Sequence, residues 1–478
     1  MEIINKFINS FYNDQVEDYC VRLLYFFNTI DTYFWIAGSS SFLVYTIVSG
    51  TSVHPLPLIP IITAVWLGFR LADFYPLFLL FGFTALIFLF QLPGIDFSSG
   101  LRLLGLNLLA FFIIQFFLMG IPDSIVARDP FVSIGKMWKS LFTIAPTTVS
   151  LSMSVFFSTF FSFVLIAQPL PWEISGLAFW STFFGGAVVT RFFLPKAFQS
   201  ETYLPNHKRT DIHRVIVLNI DGCRHDRLKE VELPSLNKAA REGTHFPKGM
   251  QTVYRALTNP AFASILTGTI PKVHGIKDNN LGQAIKVDGL PDLVSTKLYG
   301  SMHVKHFSKP EWDTAIVSLP LLGVGKSDDY MFDMMKEDLL KDDPPRLLIA
   351  DVSELDFLGH AYGSESDRYI MALQRAGRLI EDFIDWCSNM AWYDDTVFII
   401  CSDHGMKMID HSYLIFNAEK FVPFYIFGKG VQKNQTLNFD VSILDIAPTI
   451  CFALNIPYPA EAKGRVIIEA FDQKHSTT

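Results

Sequence analysis

Long apolar stretches separated by short polar breaks dominate positions 1–195 of the 478-residue chain. A helix needs about 20 apolar residues to cross a bilayer, and six stretches approach that length. They lie at residues 31–50, 55–72, 75–94, 101–120, 143–167 and 174–194. The second is the weakest, because three prolines shorten it and Arg70 and Asp73 close it. The pattern predicts an α-helical transmembrane bundle of about six spans, or of five if the second stretch fails to span.

The pattern changes after residue 195, where short apolar runs rich in β-branched residues alternate with amphipathic stretches. The runs at 213–222, 345–356 and 395–405 each end in acids and turn residues, as buried parallel strands do. Residues 366–387 carry apolar side chains at helical spacing. This alternation predicts an α/β sandwich. The predicted organisation is an N-terminal segment at 1–30, a transmembrane helical domain at 31–195, a linker at 196–212 and the α/β domain at 213–478.

Charge adds an orientation for the predicted bundle. Lysine and arginine are found on alternate sides of the predicted spans, whereas the loops at 50–55, 94–101 and 168–173 contain neither. Because basic loops favour the cytoplasmic side, six spans predict an integral membrane protein with the α/β domain in the cytoplasm, and five spans predict the outward-facing alternative. A net charge of −8 and the lack of a basic stripe argue against a nucleic-acid polymer as partner.

Acidic and imidazole side chains gather where the predicted strands end. Because functional groups of such sheets lie beyond the carboxyl ends of the strands, these side chains are expected to converge. Carboxylate oxygens and imidazole nitrogens are ligands of zinc and similar divalent cations. The residues are Asp221, Asp356, His360, Asp403, His404 and His411. Three aspartates and three histidines would give each of two cations about three protein ligands.

The segment 258–279, "TNPAFASILTGTIPKVHGIKDN", begins with a hydroxyl at Thr258. Pro260, Gly268, Pro271 and Gly275 interrupt it, which predicts a loop behind the threonine. A threonine hydroxyl becomes an effective nucleophile when a metal activates it. Thr258 is therefore a candidate to act together with the predicted cations.

The order of these groups resembles that of the alkaline phosphatase superfamily, and it is most similar to the type I phosphodiesterase/nucleotide pyrophosphatase branch. The stretches that carry the resemblance are "NIDGCRHDRL", "TNPAFASILTGTIPKVHGI", "LDFLGHAYG", "CSDHGM" and "SILDIAPTICFALNIPYPAEAKGR", over roughly residues 212–470. The resemblance implies that Thr258 is the catalytic nucleophile. It also implies two divalent cations, zinc or manganese, one held by Asp221, Thr258, Asp403 and His404 and the other by Asp356, His360 and His411.

The resemblance implies a membrane-anchored, two-metal phosphodiesterase or phosphohydrolase that acts on a nucleotide or on a lipid head group at the bilayer. Two alternatives stay open at this point. One is a transferase of a phosphoethanolamine-type group from the same superfamily, and the other is an inactive relative that binds lipid or a partner protein. One departure concerns the phosphate: many family members have asparagine three residues after the nucleophile, where this chain has Ala261.

Overall fold

The computed structural model describes residues 58–72, 112–113, 115–142, 172–192, 194–279, 283–318 and 322–472, with isolated positions at 16, 19–20, 35, 39–40, 43, 47, 98, 105 and 109. The chain divides into two compact units, one that includes Lys196–Thr478 and one drawn from residues 22–195. Residues 196–212, predicted as a linker, contact the first of these units. Arg209 is buried there and bonds Asp211 and Asp472.

The part of the chain before Lys196 contributes helices to the described structure. They are α1 (Leu58–Ala72), α2 (Ile121–Val126), α3 (Phe131–Phe142) and α4 (Trp172–Phe192), with a π-helical turn at Gln115–Gly120. Across the described residues, none of the helices has both the length and the apolar character that a membrane span requires. For example, α1 has 15 residues, whereas about 20 are needed. The predicted spans at 75–94 and 143–167 lie outside the described residues, as do most positions of the span at 31–50 and half of those of the span at 101–120. The part of the chain that the structure describes therefore gives no support to the six-span bundle.

A mixed sheet of eight strands forms the centre of the unit that includes Lys196–Thr478, in the order β10-β2-β9-β7-β1-β6-β4-β5. The central strand β1 is parallel to both β6 and β7, whereas β9 runs antiparallel to β7. The strands of this unit, called the α/β unit below, are β1 (Arg214–Ile220), β2 (Gly243–His245), β3 (Met250–Gln251), β4 (Thr296–Gly300), β5 (Asp313–Ile316), β6 (Leu347–Val352), β7 (Thr396–Cys401), β8 (Phe421–Val422), β9 (Phe424–Gly428) and β10 (Gln435–Thr436).

Helices cover both faces of this sheet, which confirms the predicted α/β sandwich. Val215 and Val217 of β1 belong to one buried apolar cluster, and Ile216 and Leu218 belong to the other. Because both faces are covered, β1 is apolar at consecutive positions rather than at alternate ones. The helices are α5 (Pro234–Glu242), α6 (Thr258–Thr267), α7 (Pro271–His274), α8 (Met302–Phe307), α9 (Val324–Leu339), α10 (Glu354–Tyr362), α11 (Asp367–Cys387), α12 (Asn417–Lys420) and α13 (Ile446–Leu454).

The expected loop behind Thr258 was wrong, because α6 begins at Thr258 and every one of its residues is buried. Pro260 lies in the first helical turn, where the missing N–H has no partner within the helix. Gly268 ends the helix in the left-handed conformation at φ 66° and donates its N–H to the carbonyl of Ser264. The proline and the glycine therefore delimit a helix instead of breaking one.

The sheet order brings three chain segments together at one edge. Asp221 directly follows β1, Asp403 follows β7 by two residues, and α10 begins two residues after β6. Because β7, β1 and β6 are adjacent and parallel, their carboxyl ends open onto the same side, as in other open α/β sheets.

Candidate active site

The hydroxyl of Thr258 lies at the centre of a buried group of acids and imidazoles. Its Oγ1 is 3.1 Å from Nε2 of His404. The same Nε2 is 3.4 Å from Oδ1 of Asp221 and 3.4 Å from Oδ2 of Asp403. Thr258 is the first residue of α6, and the amino-terminal end of a helix favours negative charge. The threonine oxygen is therefore placed where an anionic group would be stabilised.

A second group lies on α10 and on the loop after Asp403. Asp356 and His360 are four residues apart on α10, so they share one helix face, and Oδ2 of Asp356 is 3.3 Å from Nε2 of His360. His411 reaches both of them: its Nε2 is 3.7 Å from Oδ1 of Asp356 and 3.2 Å from Nε2 of His360. The rings of His411 and His404 stack at 3.7 Å, which joins the two groups into one site.

Each of the three imidazoles is held through its Nδ1 atom by a main-chain carbonyl. The Nδ1 atoms of His404, His360 and His411 lie 3.0, 2.8 and 2.5 Å from the carbonyl oxygens of residues 405, 409 and 256, respectively. A carbonyl only accepts, so each Nδ1 carries the proton and each Nε2 presents a lone pair to the site. Histidines that bind metals in proteins are oriented in this way.

A glycine allows the two groups to approach each other. Gly222 follows Asp221 and has a φ of 69°, and a Cβ at this position would lie 2.7 Å from Oδ1 of Asp356. Only glycine adopts this conformation without strain and leaves that space open. The loop after β1 can therefore pack directly against α10.

The carboxylates of the site are buried and only partly satisfied. Among the described residues, Oδ1 of Asp221, Oδ1 of Asp356 and Oδ2 of Asp403 have no hydrogen-bond partner. Burial and the charges of Asp403 and Asp356 raise the pKa of Asp221 well above its ordinary value. Burial and neighbouring carboxylates likewise raise the pKa of Asp403. Unpartnered buried carboxylates are costly, so the site requires positive charge.

The pKa values of two histidines of the site shift downward, opposite to those of Asp221 and Asp403. Burial lowers the pKa of His404 well below its ordinary value and also lowers that of His411. Burial acts to raise the pKa of Asp356, but attraction to positive charge on His360 and His411 outweighs it and lowers this pKa, so this carboxylate favours a cation beside it. Neutral imidazoles and ionised carboxylates are the forms that bind a metal.

Divalent cations fit this arrangement. Two sets of ligand atoms each lie within 4.8 Å of one another, one from Asp356, His360 and His411 and one from Asp221, Asp356 and His404. The lone pairs of His360 and His411 face each other across 3.2 Å, which is unfavourable without positive charge between them. Oxygen and nitrogen donors of this kind suit zinc and related ions.

All seven residues predicted from the sequence are brought together by the structure. Asp356 contacts both groups, although the sequence-based assignment places it with His360 and His411 alone. One polar residue beside the nucleophile position was missed: Asn279, whose Oδ1 accepts a hydrogen bond of 3.0 Å from the N–H of Asn259. Nothing in the pattern marks Asn279, because its proximity depends on the turn after α7.

Comparison with known proteins gives a family match over the α/β unit. The family model "Type I phosphodiesterase / nucleotide pyrophosphatase" matches residues 215–315 and 302–425. These matches include all seven predicted site residues and agree with the resemblance seen in the sequence.

Several curated relatives are similar to this chain. Ectonucleotide pyrophosphatase/phosphodiesterase family member 3 of Mus musculus is 26% identical over 255 residues, which are 48% of this chain and 29% of the relative. Venom phosphodiesterase of Macrovipera lebetinus is 26% identical over 250 residues, 47% of this chain and 29% of the relative. An uncharacterized pyrophosphatase/phosphodiesterase of Schizosaccharomyces pombe is 26% identical over 236 residues, 43% of this chain and 47% of the relative.

The chain thus spans less than half the length of these relatives. Among solved structures, murine ectonucleotide pyrophosphatase/phosphodiesterase 5 in complex with AMP has a TM-score of 0.45 and 13% identity, with 54% of this chain and 100% of that chain covered. The matched family and the relatives are pyrophosphatases and phosphodiesterases, which are hydrolases that act on phosphoesters.

Proposed function

We propose that this chain is a metal-dependent phosphodiesterase of the nucleotide pyrophosphatase type, in which Thr258 is the nucleophile. The observation that carries the proposal is the position of the Thr258 hydroxyl, whose Oγ1 lies 3.1 Å from Nε2 of His404 within a buried set of acids and imidazoles. The family match over the same residues supports the reaction class. Nucleotide phosphoesters are the proposed substrates, by analogy with the relatives' names.

The residues of the chain would hold two divalent cations, with zinc as the first candidate. Asp221, Asp403 and His404 surround Thr258 on one side, and Asp356, His360 and His411 form the other group. When bound, such cations favour the deprotonated form of a hydroxyl and offset negative charge on the phosphoryl oxygens. The carbonyl bonds at Nδ1 keep the three Nε2 atoms directed into the site, where they would be available to bind the cations.

Thr258 would then form a covalent intermediate. Its hydroxyl loses a proton to solvent as Oγ1 bonds to phosphorus, the bond from phosphorus to the leaving oxygen breaks, and that oxygen takes up a proton from solvent. A water molecule next attacks phosphorus and gives up a proton, the bond to Oγ1 breaks, and Oγ1 takes up a proton to regain the threonine hydroxyl. Because Thr258 is the first residue of α6, the amino-terminal end of this helix would stabilise the negative charge of a phosphoryl group bonded to Oγ1.

The test compares the wild-type chain with Thr258→Ala on a nucleoside 5′-(p-nitrophenyl) phosphodiester in the presence of zinc. Loss of a nucleophile is expected to lower kcat by ~10³-fold or more. Mass spectrometry of the quenched wild-type reaction should find a nucleotidyl group on Thr258. Wild-type turnover by Thr258→Ala would contradict the mechanism.

Two variants serve as controls for this test. Thr258→Ser keeps a hydroxyl and is expected to retain measurable turnover. Thr267→Ala removes a buried threonine from the same helix, whose hydroxyl donates to the carbonyl of Ala263, and should leave kcat near the wild-type value. An equal loss in Thr267→Ala would indicate damage to α6 rather than loss of a nucleophile.

Membrane anchoring through the apolar stretches before Lys196 and a cytoplasmic position of the α/β unit stay predictions from the sequence. A lipid head group as substrate depends on that anchoring, so it ranks behind a nucleotide. Release of the product with water as the sole acceptor separates hydrolysis from transfer of a phosphoethanolamine-type group.

A further inference from the structure

A row of polar side chains crosses three adjacent strands just below the site. Asn219 of β1 is the register partner of Asp351 on β6 and of Cys401 on β7. Side chains two residues apart along a strand point to the same face of the sheet. Asn219 therefore shares a face with Val217, and Asp351 shares that face with Ile349. Both are fully buried. Burying polar side chains at the centre of an apolar sheet costs free energy of folding, so these residues are expected to have a role besides packing.

Asn219 links this row to a residue of the proposed metal site. Its Nδ2 donates a 2.7 Å hydrogen bond to Oδ1 of Asp351, and its Oδ1 lies 3.8 Å from the thiol of Cys401. Cys401 precedes Asp403 by two residues, and Asn219 precedes Asp221 by two residues, so the amide lies directly beneath both carboxyls; its proximity acts to lower the pKa of Asp403. One amide thus bonds Asp351 on one side and contacts the end of β7, the strand that leads to Asp403, on the other.

A histidine from α8 completes the row. Nε2 of His303 lies 3.0 Å from Oδ2 of Asp351, and its Nδ1 lies 2.6 Å from the hydroxyl of Ser301. The ring packs edge-on against Phe262 of α6, with centroids 6.4 Å apart, four residues after Thr258. The group therefore contacts the helix of the proposed nucleophile and also the end of β7, the strand that leads to Asp403.

Ser301, His303 and Asp351 together have the residue types of a hydrolytic triad, but their burial rules that role out. Ser301, His303 and Asp351 are 2%, 5% and 0% exposed, so no substrate reaches the serine. The group therefore acts on other residues of the chain. Its charge points to which ones: the carboxylate of Asp351 acts to raise the pKa of both Asp403 and Asp221, so its field reaches the two carboxyls nearest Thr258.

We propose that Asp351 and His303 form a positioning pair that strengthens binding of a divalent cation beside Thr258. Asp351 bonds Asn219 beneath the strand ends that carry Asp221 and Asp403 and places a buried negative charge near them, while the ring of His303 lies against the carboxylate of Asp351. The inference rests on the proposed function, because it presumes that a cation binds at Asp221, Asp403 and His404. Partners behind metal ligands orient those ligands and typically change metal affinity by about 10–100-fold.

The experiment measures zinc affinity of the full chain by competition with a chromophoric chelator. Asp351→Asn keeps the shape of the side chain and removes its charge. It is expected to weaken zinc binding by about 10–100-fold. Turnover of bis(p-nitrophenyl) phosphate by this variant should fall at limiting zinc and recover when free zinc exceeds the weakened dissociation constant, because Thr258 and the ligands are intact. A merely structural role would not give recovery by zinc.

His303→Gln is the second variant and is also expected to weaken zinc binding. It tests the inference independently should Asp351→Asn fold poorly. Asp338→Asn is the matched control: Asp338 is also buried and bonds Tyr299 and Lys297. It should leave zinc affinity unchanged. Zinc affinities of Asp351→Asn and His303→Gln equal to that of the wild type would overturn the inference and leave the proposed function intact. A wild-type chain that binds no zinc would instead overturn the metal site on which both depend.

Discussion

At the residue scale, Glu419 is a buried carboxyl that supports the site without belonging to it. Its Oε2 accepts a 2.9 Å hydrogen bond from the N–H of Ile415, and its carbonyl accepts one of 3.0 Å from Gly405. It therefore ties the loop after His411 to the turn after His404. Burial raises the pKa of Glu419 to about 8, from an ordinary value of 4.5.

This shift gives a pH-dependent stability whose sign follows from linkage. The folded state holds the proton of Glu419 more tightly than the unfolded state, so its contribution is complete below pH 4.5 and declines as the pH rises towards 8. Glu419→Gln stays neutral at every pH. The variant is expected to have a higher melting temperature than the wild type at pH 8.5 and a similar one at pH 5.

Thermal unfolding of both proteins between pH 5 and 9 measures this difference. Glu461→Gln is the control, because it removes a carboxyl that is exposed and should show no such change with pH. A difference between Glu419→Gln and wild type that is constant across the whole range would contradict the linkage argument.

At the element scale, the start of α10 is fixed by a residue from another helix. Asp328 of α9 accepts hydrogen bonds from the N–H groups of Ser353 and Glu354, at 3.2 and 3.1 Å. These are amino-terminal groups of α10 that no carbonyl within the helix can satisfy. Because α10 carries Asp356 and His360, Asp328 helps to set where both point.

Asp328→Asn replaces one acceptor oxygen with an amide N–H that faces a main-chain donor. We expect a loss of about 1–3 kcal/mol in the free energy of unfolding, the cost of an unsatisfied buried donor. Urea denaturation measures it. Asp329→Asn is the neighbouring control, since Asp329 lies on the outer side of α9, half exposed, and pairs with Arg375. Equal effects of the two substitutions would refute a special role for Asp328.

Some helices and strands of the α/β unit could be predicted from the sequence. The continuous apolar runs and their terminal acids predicted β1, β6 and β7, and the helical spacing at 366–387 predicted α11 (Asp367–Cys387), because these patterns are local. The helix at Thr258 was mispredicted because Pro260 and Gly268 were taken as breaks, although their positions are those of a helix start and a helix end. Asp351 interrupts an apolar strand, which is a visible signal, but its partner His303 is distant in the chain and only the fold brings them together.

At the scale of the whole molecule, the described part of the α/β unit carries everything the proposed chemistry needs. Both apolar clusters lie between Ile212 and Phe471, and all seven predicted site residues lie in the same span. A fragment of residues 196–478 is therefore expected to fold cooperatively and to bind zinc with the affinity of the full chain. Circular dichroism and chelator competition measure both properties.

A fragment of residues 213–478 is the control for this prediction. It lacks Arg209, which bonds Asp211 and Asp472, and Ser200, whose hydroxyl donates to Asp445. It should unfold at a lower temperature than the longer fragment. Failure of the longer fragment to fold, while the full chain does, would show that the segment before Lys196 completes this unit.

The elements formed before Lys196 could not be inferred from the sequence as securely as those of the α/β unit. Apolar length alone does not distinguish a membrane span from other helices. In the α/β unit, by contrast, each apolar run ends in acids and turn residues, so both the strand and its boundary are marked.

The carbonyl bonds of the three histidines have an evolutionary consequence. Two of the three acceptors belong to Ala256 and Ile409, yet the atom that orients the imidazole is a backbone oxygen, which every amino acid supplies. Mutations of these side chains can therefore accumulate without releasing the rings. A site whose histidines are oriented by the main chain can be retained in homologues whose surrounding side chains differ widely.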